Sequence, residues 1–341
     1  MSVTLKQIAR HVGVSQPLVT YALNGKPGVS EVMRQKILDA ATEMGYSPHA
    51  NRAAKVLIAR RHGTKVRTGV LALLLPPMGH GGNSVQENPF FLPYFCGVEI
   101  EAARRDYNLF VCAMRGGELP SLIDSGGVDG VLGVGVPSAF SLLKERGIPA
   151  LALGFQERGI PSLVPDDAGG IHQAVAHLAH LGHRHIAYLG FSGEAFITAR
   201  ARLQAFHEAM LQSGLKVDEK LIAADSVVME EKAAADLLDG LLKRSKSFTA
   251  IVCYNDIYAM GAVKRLQELG RKVPDDIAVV GFDGYATQIG FSPLLTSVNF
   301  DRQKMAEHAV GILCRALDQD ESTLKTKTES FPVQLVQGET S

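Results

Sequence analysis

The residues whose types and spacing point most directly to chemistry lie near the start of the chain. Between Ser15 and Asn24-Gly25 the sequence runs Gln-Pro-Leu-Val-Thr-Tyr-Ala-Leu. Wound at about 100° per residue, Gln16, Pro17, Thr20 and Tyr21 fall on one side of a helix, with Leu18, Val19, Ala22 and Leu23 on the other. The apolar side packs inward. The polar, uncharged side left outward suits the donors and acceptors on base edges in a major groove. The surrounding charge fits the same chemistry. Residues 1–67 hold eleven Lys/Arg against three acids, a net +8, and because the whole chain is neutral the remainder carries −8. A basic head on an acidic body is the footprint of a polyanion binder, in which cations hold phosphates and a neutral face reads bases.

Other reactive residue types carry less. His177, His180, His183 and His185 invite a metal reading because histidines three apart share a helix face. Gly182 ends that helix, however, and imidazoles near a helix carboxyl end interact favourably with its dipole without metal. No metal site and no cofactor is expected. The sequence has no GxSxG, GxxxxGK[ST] or HExxH, and the glycines of Gly130–Gly135 do not form GxGxxG, so no catalytic residue is assigned and an enzyme is not expected. Cys96, Cys112, Cys253 and Cys314 lie far apart without a CxxC pair and read as reduced core thiols. No apolar run reaches the ~20 residues of a membrane span. Met1–Arg10 enters an amphipathic pattern directly, without a leader's basic, apolar and small-residue sequence. A cytoplasmic protein without a membrane partner is expected.

The elements that must position the first group are three short helices. Thr4–Gln7 is a capping box opening a helix with Leu5, Ile8, Ala9 and Val12 inward, and Gly13 breaks it. Ser15 is the next N-cap, and Pro17 is tolerated in the first turn. A third helix opens at Ser30, carries Ile37, Ala41 and Met44 on one stripe, and stops at Gly45. Helix, glycine turn and helix within about 20 residues is the helix-turn-helix layout.

From Gly69 onward apolar strands alternate with amphipathic helices. Strands are expected at Val70–Leu75, Leu109–Ala113, Val128–Val134, Ala150–Leu153, His185–Leu189, Ala250–Val252 and Ala278–Gly281. Helices are expected at Phe95–Asp106, Ile171–Leu181, Arg200–Ser213, Ala233–Lys243 and Ile257–Leu269. The strand–loop–helix series runs twice, which predicts two doubly wound lobes with a ligand cleft at the strand carboxyl ends.

Several segments of the head, Thr4–Ala9, Gly13-Val14-Ser15, Val19-Thr20, Ala22–Gly25, Val29-Ser30 and Gly45–Pro48, closely resemble the head pattern of LacI/GalR transcription regulators. In the body, Asn88–Phe91, Val128-Asp129-Gly130, Asp166-Asp167, Leu181–Ala187, Asn255-Asp256, Val273–Ile277 and Val280–Asp283 match the same family in order. The resemblance implies an all-α helix-turn-helix head followed by an α/β, periplasmic-binding-protein-like body of two doubly wound parallel-sheet lobes. The implied divisions are a head at 1–47, a hinge at 48–67, an N-terminal lobe at 68–164 plus about 298–320, and a C-terminal lobe at 165–297 plus about 321–341.

By the same resemblance Gln16, Pro17 and Tyr21 take base-reading positions, and Ser15, Thr20, Asn24 and Ser30 touch the DNA backbone or nearby bases. Many members carry an arginine at Tyr21, and proline at position 17 is unusual, so an operator unlike the common one is expected. The family's hinge folds on DNA and wedges a leucine into the minor groove. An ungapped count from Pro48 puts Lys55 there, whereas treating His49-Ala50 as an insertion puts Leu57 there; Leu57 is preferred because an apolar wedge unstacks bases. In the body, Arg202 and Asp283 match the family's ligand-holding arginine and aspartate. Phe90 and Phe91 are implied as walls of the site, with Asp166, Thr198 and Asn255 as further contacts. Asp283 and Asn255 also read as simple caps of the elements after their strands. The Gly116–Gly127 segment is shorter than the family's second helix.

The implied partners are pseudo-palindromic double-stranded operator DNA, a small-molecule effector, most simply a carbohydrate, and a second copy of the chain. No heptad-repeat tail follows Phe331–Val336, so dimers are expected. The expected function is a sequence-specific transcription regulator, a repressor, with operator affinity set by a sugar or sugar derivative. The alternative is a sugar-binding carrier without a role on DNA.

Overall fold

The computed structural model describes residues 3–23, 28–44, 46, 67–76, 89–157, 159–191, 197–226, 230–245, 247–319 and 327–341. Asn24 and the expected minor-groove residues Lys55 and Leu57 lie outside them. The chain divides into two compact units, Met1–Gly69 and Val70–Ser341.

The first unit is the three-helix head. Helix α1 (Leu5–Val12) starts where the Thr4 hydroxyl accepts from the Gln7 N–H and the Gln7 side chain accepts from the Thr4 N–H at 2.7 Å, a complete capping box. It ends at Gly13, whose φ of 80° only glycine adopts cheaply. Helix α2 (Gln16–Leu23) accepts Pro17 in its first turn, where the missing N–H breaks no helical bond. Ser30 caps α3 (Glu31–Glu43) through the Met33 N–H. Ile8 and Ala9 of α1, Val19 and Ala22 of α2, and Ile37 and Ala41 of α3 form one buried core.

The second unit contains two six-stranded sheets. The first is β1 (Val70–Leu75), β2 (Asn108–Ala113), β3 (Gly130–Gly133), β4 (Ala150–Leu153), β5 (Ser162–Pro165) and β11 (Thr328–Phe331), ordered β11-β5-β4-β3-β1-β2 and parallel throughout. The second is β6 (Ile186–Phe191), β7 (Ile222–Ser226), β8 (Ala250–Cys253), β9 (Ala278–Phe282), β10 (Thr296–Asn299) and β12 (Gln334–Val336), ordered β12-β10-β9-β8-β6-β7. In it only the β10–β12 pair is antiparallel. Leu71–Leu74 and Ala278–Phe282 are buried on both faces, which is why they read as unbroken apolar runs.

Helices α4 (Leu92–Arg104), α5 (Ser121–Asp124) and α6 (Pro137–Glu145) connect strands of the first sheet. Helices α7 (Asp167–His180), α8 (Ile197–Gln212), α9 (Glu231–Arg244), α10 (Asp256–Glu268) and α11 (Tyr285–Gln288) accompany the second. The Gly116–Gly127 segment, expected to be short, supplies only the four-residue α5. The chain then returns to the first lobe as α12 (Arg302–Asp318), which packs along α4. The two helices meet so closely at Gly97 that a Cβ there would sit 2.2 Å from the Gln303 carbonyl oxygen.

One expected boundary is corrected. The C-terminal lobe does not take up everything after about residue 321, because Thr328–Phe331 pairs with β5 at the edge of the first sheet. The crossing to the second sheet comes between β11 and β12, after Phe331. The Asp166 N–H donates to the Phe331 carbonyl, which ties together two of the strands' exits between lobes.

Candidate operator face and effector site

On the head, Ser15, Gln16, Pro17 and Tyr21 are exposed and Thr20 is half-buried, while Val19 and Ala22 face the core. Tyr21 leaves 46% of its surface in solvent despite its aromatic ring. The Thr20 hydroxyl donates to the Gln16 carbonyl one turn back, at 3.1 Å. The Ser30 hydroxyl accepts from the Met33 N–H as the α3 cap. Arg34 is not available as a simple phosphate contact: its guanidinium donates to the Ala22 carbonyl at 3.0 Å and anchors the end of α2.

In the body, the carboxyl ends of β5, β8 and β9 converge on Arg202. This side chain reaches inward from α8 and is almost wholly buried. Its Nε donates to Asp167 Oδ1 at 2.7 Å, Nη1 to the Tyr254 carbonyl at 2.6 Å, and Nη2 to Asp283 Oδ1 at 3.2 Å. The guanidinium lies 3.6 Å from the centre of the Phe282 ring and 5.0 Å from that of Tyr254, where the ring faces favour a cation. Burial works against the Arg202 charge, but the Asp167 and Asp283 carboxylates outweigh it and hold the pKa above the usual arginine value. Burial pushes both carboxyls upward, with Arg202 pulling the other way. Among the described residues three of the five N–H groups are committed, which leaves one on each terminal nitrogen.

Asp283 is held in an unusual backbone conformation, φ 98°, followed by Gly284 at φ 66°. A non-glycine residue in this region is strained, and the turn aims the carboxylate at Arg202. Asp283 therefore does not serve as a simple cap. Asn255 does: its Oδ1 accepts from the Tyr258 N–H at 3.1 Å to start α10. Asp166 likewise caps α7 through the Gly169 N–H at 3.0 Å. The carboxylate turned to Arg202 is that of the next residue, Asp167. The spacing signals this difference, since an aspartate three residues before Gly169 is placed to cap and its neighbour at the first helical position is left to point elsewhere. Thr198, one turn before Arg202 on α8, is buried on the same helix face.

Phe90 is linked to this cluster through Arg302, which bonds the Asp283 carbonyl. Its ring makes edge contacts with Phe91 at 5.3 Å, Tyr94 at 5.9 Å and Tyr285 at 6.1 Å. Phe91 is the more deeply buried of the pair and supports Phe90 from the core side. Arg302, at the start of α12, lies over Phe90 at 4.9 Å and donates from Nη1 to the Asp283 carbonyl and from Nη2 to Gln288 Oε1 at 2.8 Å. Gln288 in turn donates to the Pro89 carbonyl of the other lobe at 2.5 Å. Tyr254, Tyr285, Gln288 and Arg302 were not singled out by sequence, because no repeat or spacing marks residues that meet only through the turns after separate strands, and Asp167 stood there only as the neighbour of Asp166.

Behind Asp283, buried Asp256 accepts from the Ser297 hydroxyl at 2.6 Å and the Ala286 N–H at 2.9 Å. Burial raises its pKa to about 7 against these two donors, which favour the ionised form. The histidines considered above separate: His177 meets Ser341 and His183 meets Thr249, each at 2.8 Å.

Comparison with known proteins agrees with both halves of this description. Residues 4–49 match the family "Bacterial regulatory proteins, lacI family", and residues 175–341 match the periplasmic binding protein-like domain. The head is thus similar to the heads of lacI-family regulators and the body to a periplasmic binding protein-like domain. Among similar proteins, the HTH-type transcriptional regulator CelR of Thermobifida fusca is 29% identical over 321 residues, covering 91% of this chain and 90% of that protein. A solved CelR–cellobiose complex shares the fold with a TM-score of 0.69 at 25% identity, covering 99% of this chain and 100% of that one. A lac repressor dimer bound to operator and the anti-inducer ONPF gives 0.72 at 22% identity over 100% and 99% of the two chains. Like these, this chain joins a helical head to two parallel-dominated sheets. Among the described residues no helix is long and apolar enough to cross a membrane.

Proposed function

We propose that this chain is a cytoplasmic transcription repressor that binds a pseudo-palindromic operator as a homodimer and is controlled by a sugar or sugar derivative held between its lobes. The observation that carries the reading is Arg202: a buried guanidinium, fixed by Asp167, Asp283 and the Tyr254 carbonyl, with two N–H groups left over at the strand carboxyl ends. Such a fixed donor–acceptor set suits vicinal hydroxyls, and the Phe90 ring, which Arg302 links to Asp283, suits the apolar face of a pyranose. The sugar complex of the CelR relative supports the same class of ligand.

On the head, Gln16, Pro17 and Tyr21 are the proposed base readers, with Ser15, Thr20, Asn24 and Ser30 on or near the phosphates and Leu57 as the minor-groove wedge. In the body, Phe90, Phe91, Thr198, Arg202 and Asp283 form the proposed effector site together with Asp167, with Asp166 and Asn255 framing it as helix caps. The first lobe takes 68–164, about 298–320 and β11, and the second takes 165–297 and the segment after Phe331. An effector that fits one arrangement of the lobes better than another shifts the population able to bind operator.

The test is selection of bound fragments from a random DNA library by the full chain, repeated with a panel of sugars. Enrichment of a two-fold symmetric motif, and its release by one sugar, is the expected result. Tight sugar binding with no enriched motif would favour the carrier reading, which the basic head argues against.

A further inference from the structure

Arg302 is placed unfavourably in two respects. It occupies the first position of a 17-residue helix, whose amino end carries partial positive charge. Its side chain is also buried, and among the described residues it forms no ion pair; the Asp283 carboxylate is taken by Arg202. Both of its hydrogen-bond acceptors, the Asp283 carbonyl and the Gln288 amide oxygen, are neutral. Its Nε N–H is buried and has no partner among the described residues. Phe90 and Phe300, at 4.9 and 5.7 Å, flank the guanidinium but bring no negative charge. The nearby Asp283 carboxylate feels the Arg302 charge but is bonded to Arg202; a buried cation hydrogen-bonded only to neutral acceptors is costly, and an anion in direct contact would offset the cost. The group covering it is easily replaced: Gln288 is exposed, and it also bonds the Pro89 carbonyl across the lobe boundary.

We propose that Arg302 is a second effector-binding residue that seats an anionic group, a carboxylate or phosphate, and that this anion displaces the Gln288 amide. The inference rests on the effector reading of the Arg202 cluster and narrows it: Arg202 and Asp283 hold hydroxyls, and Arg302 holds the acid of an acidic sugar derivative. Displacing Gln288 also frees its bond to Pro89, so the anion loosens a tie between the two lobes.

The test uses the full chain and, first, inorganic phosphate alone, followed by calorimetry and thermal unfolding at constant ionic strength. Arg302→Gln is expected to lose about tenfold in phosphate affinity relative to the wild type, and this difference separates Arg302 from phosphate held by the basic head. Gln288→Ala, a change at an exposed residue, is expected to gain about threefold because the competing amide is gone. Equal phosphate affinity in wild type and Arg302→Gln, or no gain in Gln288→Ala, overturns the proposal. Matched glucose, glucuronate and glucose 6-phosphate then identify the acid. Preference for one acidic member that Arg302→Gln abolishes supports it. Equal binding of the neutral and acidic forms overturns it while leaving the sugar reading intact. If no sugar binds but the phosphate difference persists, the anion seat stands and the sugar reading falls.

Discussion

Arg202 is the residue on which both the stability and the proposed effector chemistry of the body are expected to depend. Its charge is buried between Asp167 and Asp283, so Arg202→Ala leaves two carboxylates without their cation. The expected cost is about 3–5 kcal/mol in urea unfolding, with loss of effector binding. Asp283→Asn keeps the volume and one acceptor but removes the charge facing Arg202. We expect it to abolish effector response while operator affinity stays within about twofold; a variant that still responds to effector would remove Asp283 from the site. Asp256 gives a pH signature. Its carboxyl is raised to about 7 in the folded protein from an ordinary value of 3.8. Between those values the folded state binds the proton and the unfolded state does not, so the contribution of this group is largest at low pH and declines as pH rises through the window. The slope is at most ~1.4 kcal/mol per pH unit. In Asp256→Asn, Ser297 can reverse its hydroxyl to accept from the amide, and that variant should lack this slope. Urea titrations from pH 4.5 to 8 check it, and a wild-type-minus-variant difference that stays flat or rises with pH would contradict the assignment.

At the scale of elements, close approaches and caps decide what a substitution does. Gly97→Val at the α4–α12 crossing must push against the Gln303 carbonyl, a backbone group that cannot rotate away. A loss of about 1–3 kcal/mol is expected in thermal or urea unfolding, whereas Gly147→Ala, at an open turn with φ 62°, should cost only about 1 kcal/mol through backbone strain. This scale also explains what the sequence made legible. The capping box at Thr4 and the apolar runs Val70–Leu75 and Ala150–Leu153 were readable because cap chemistry and two-sided burial leave local patterns. Strands β5, β7, β10, β11 and β12 were not, since Ser162-Leu-Val-Pro, Ile222-Ala-Ala-Asp-Ser, Thr296-Ser-Val-Asn, Thr328-Glu-Ser-Phe and Gln334-Leu-Val are short or polar and are strands only because neighbouring strands pair with them. The site was legible in the same proportion. Arg202 and Asp283 follow from family pattern, whereas Asp167 in place of Asp166 depends on which aspartate a helix start takes for its cap.

At the scale of the whole molecule, the proposed function needs a neutral reading face surrounded by phosphate-holding charge, and a body that responds to a small molecule. Tyr21→Ala should relax preference at one operator position by about 1–3 kcal/mol without changing the salt dependence, because an uncharged side chain reads bases and does not replace counterions. A comparison of enriched sequences and salt slopes for the two proteins checks this, and an unchanged base preference would count against Tyr21 as a reader. The central claim is tested most directly by fluorescence anisotropy of a selected fragment and a scrambled one, each titrated with the full chain across a range of salt concentrations. The selected pseudo-palindrome is expected to be bound at least ~1,000-fold more tightly than the scramble, with affinity falling steeply and linearly on logarithmic salt axes. Equal, weak binding of the two fragments, or affinity indifferent to salt, would contradict it.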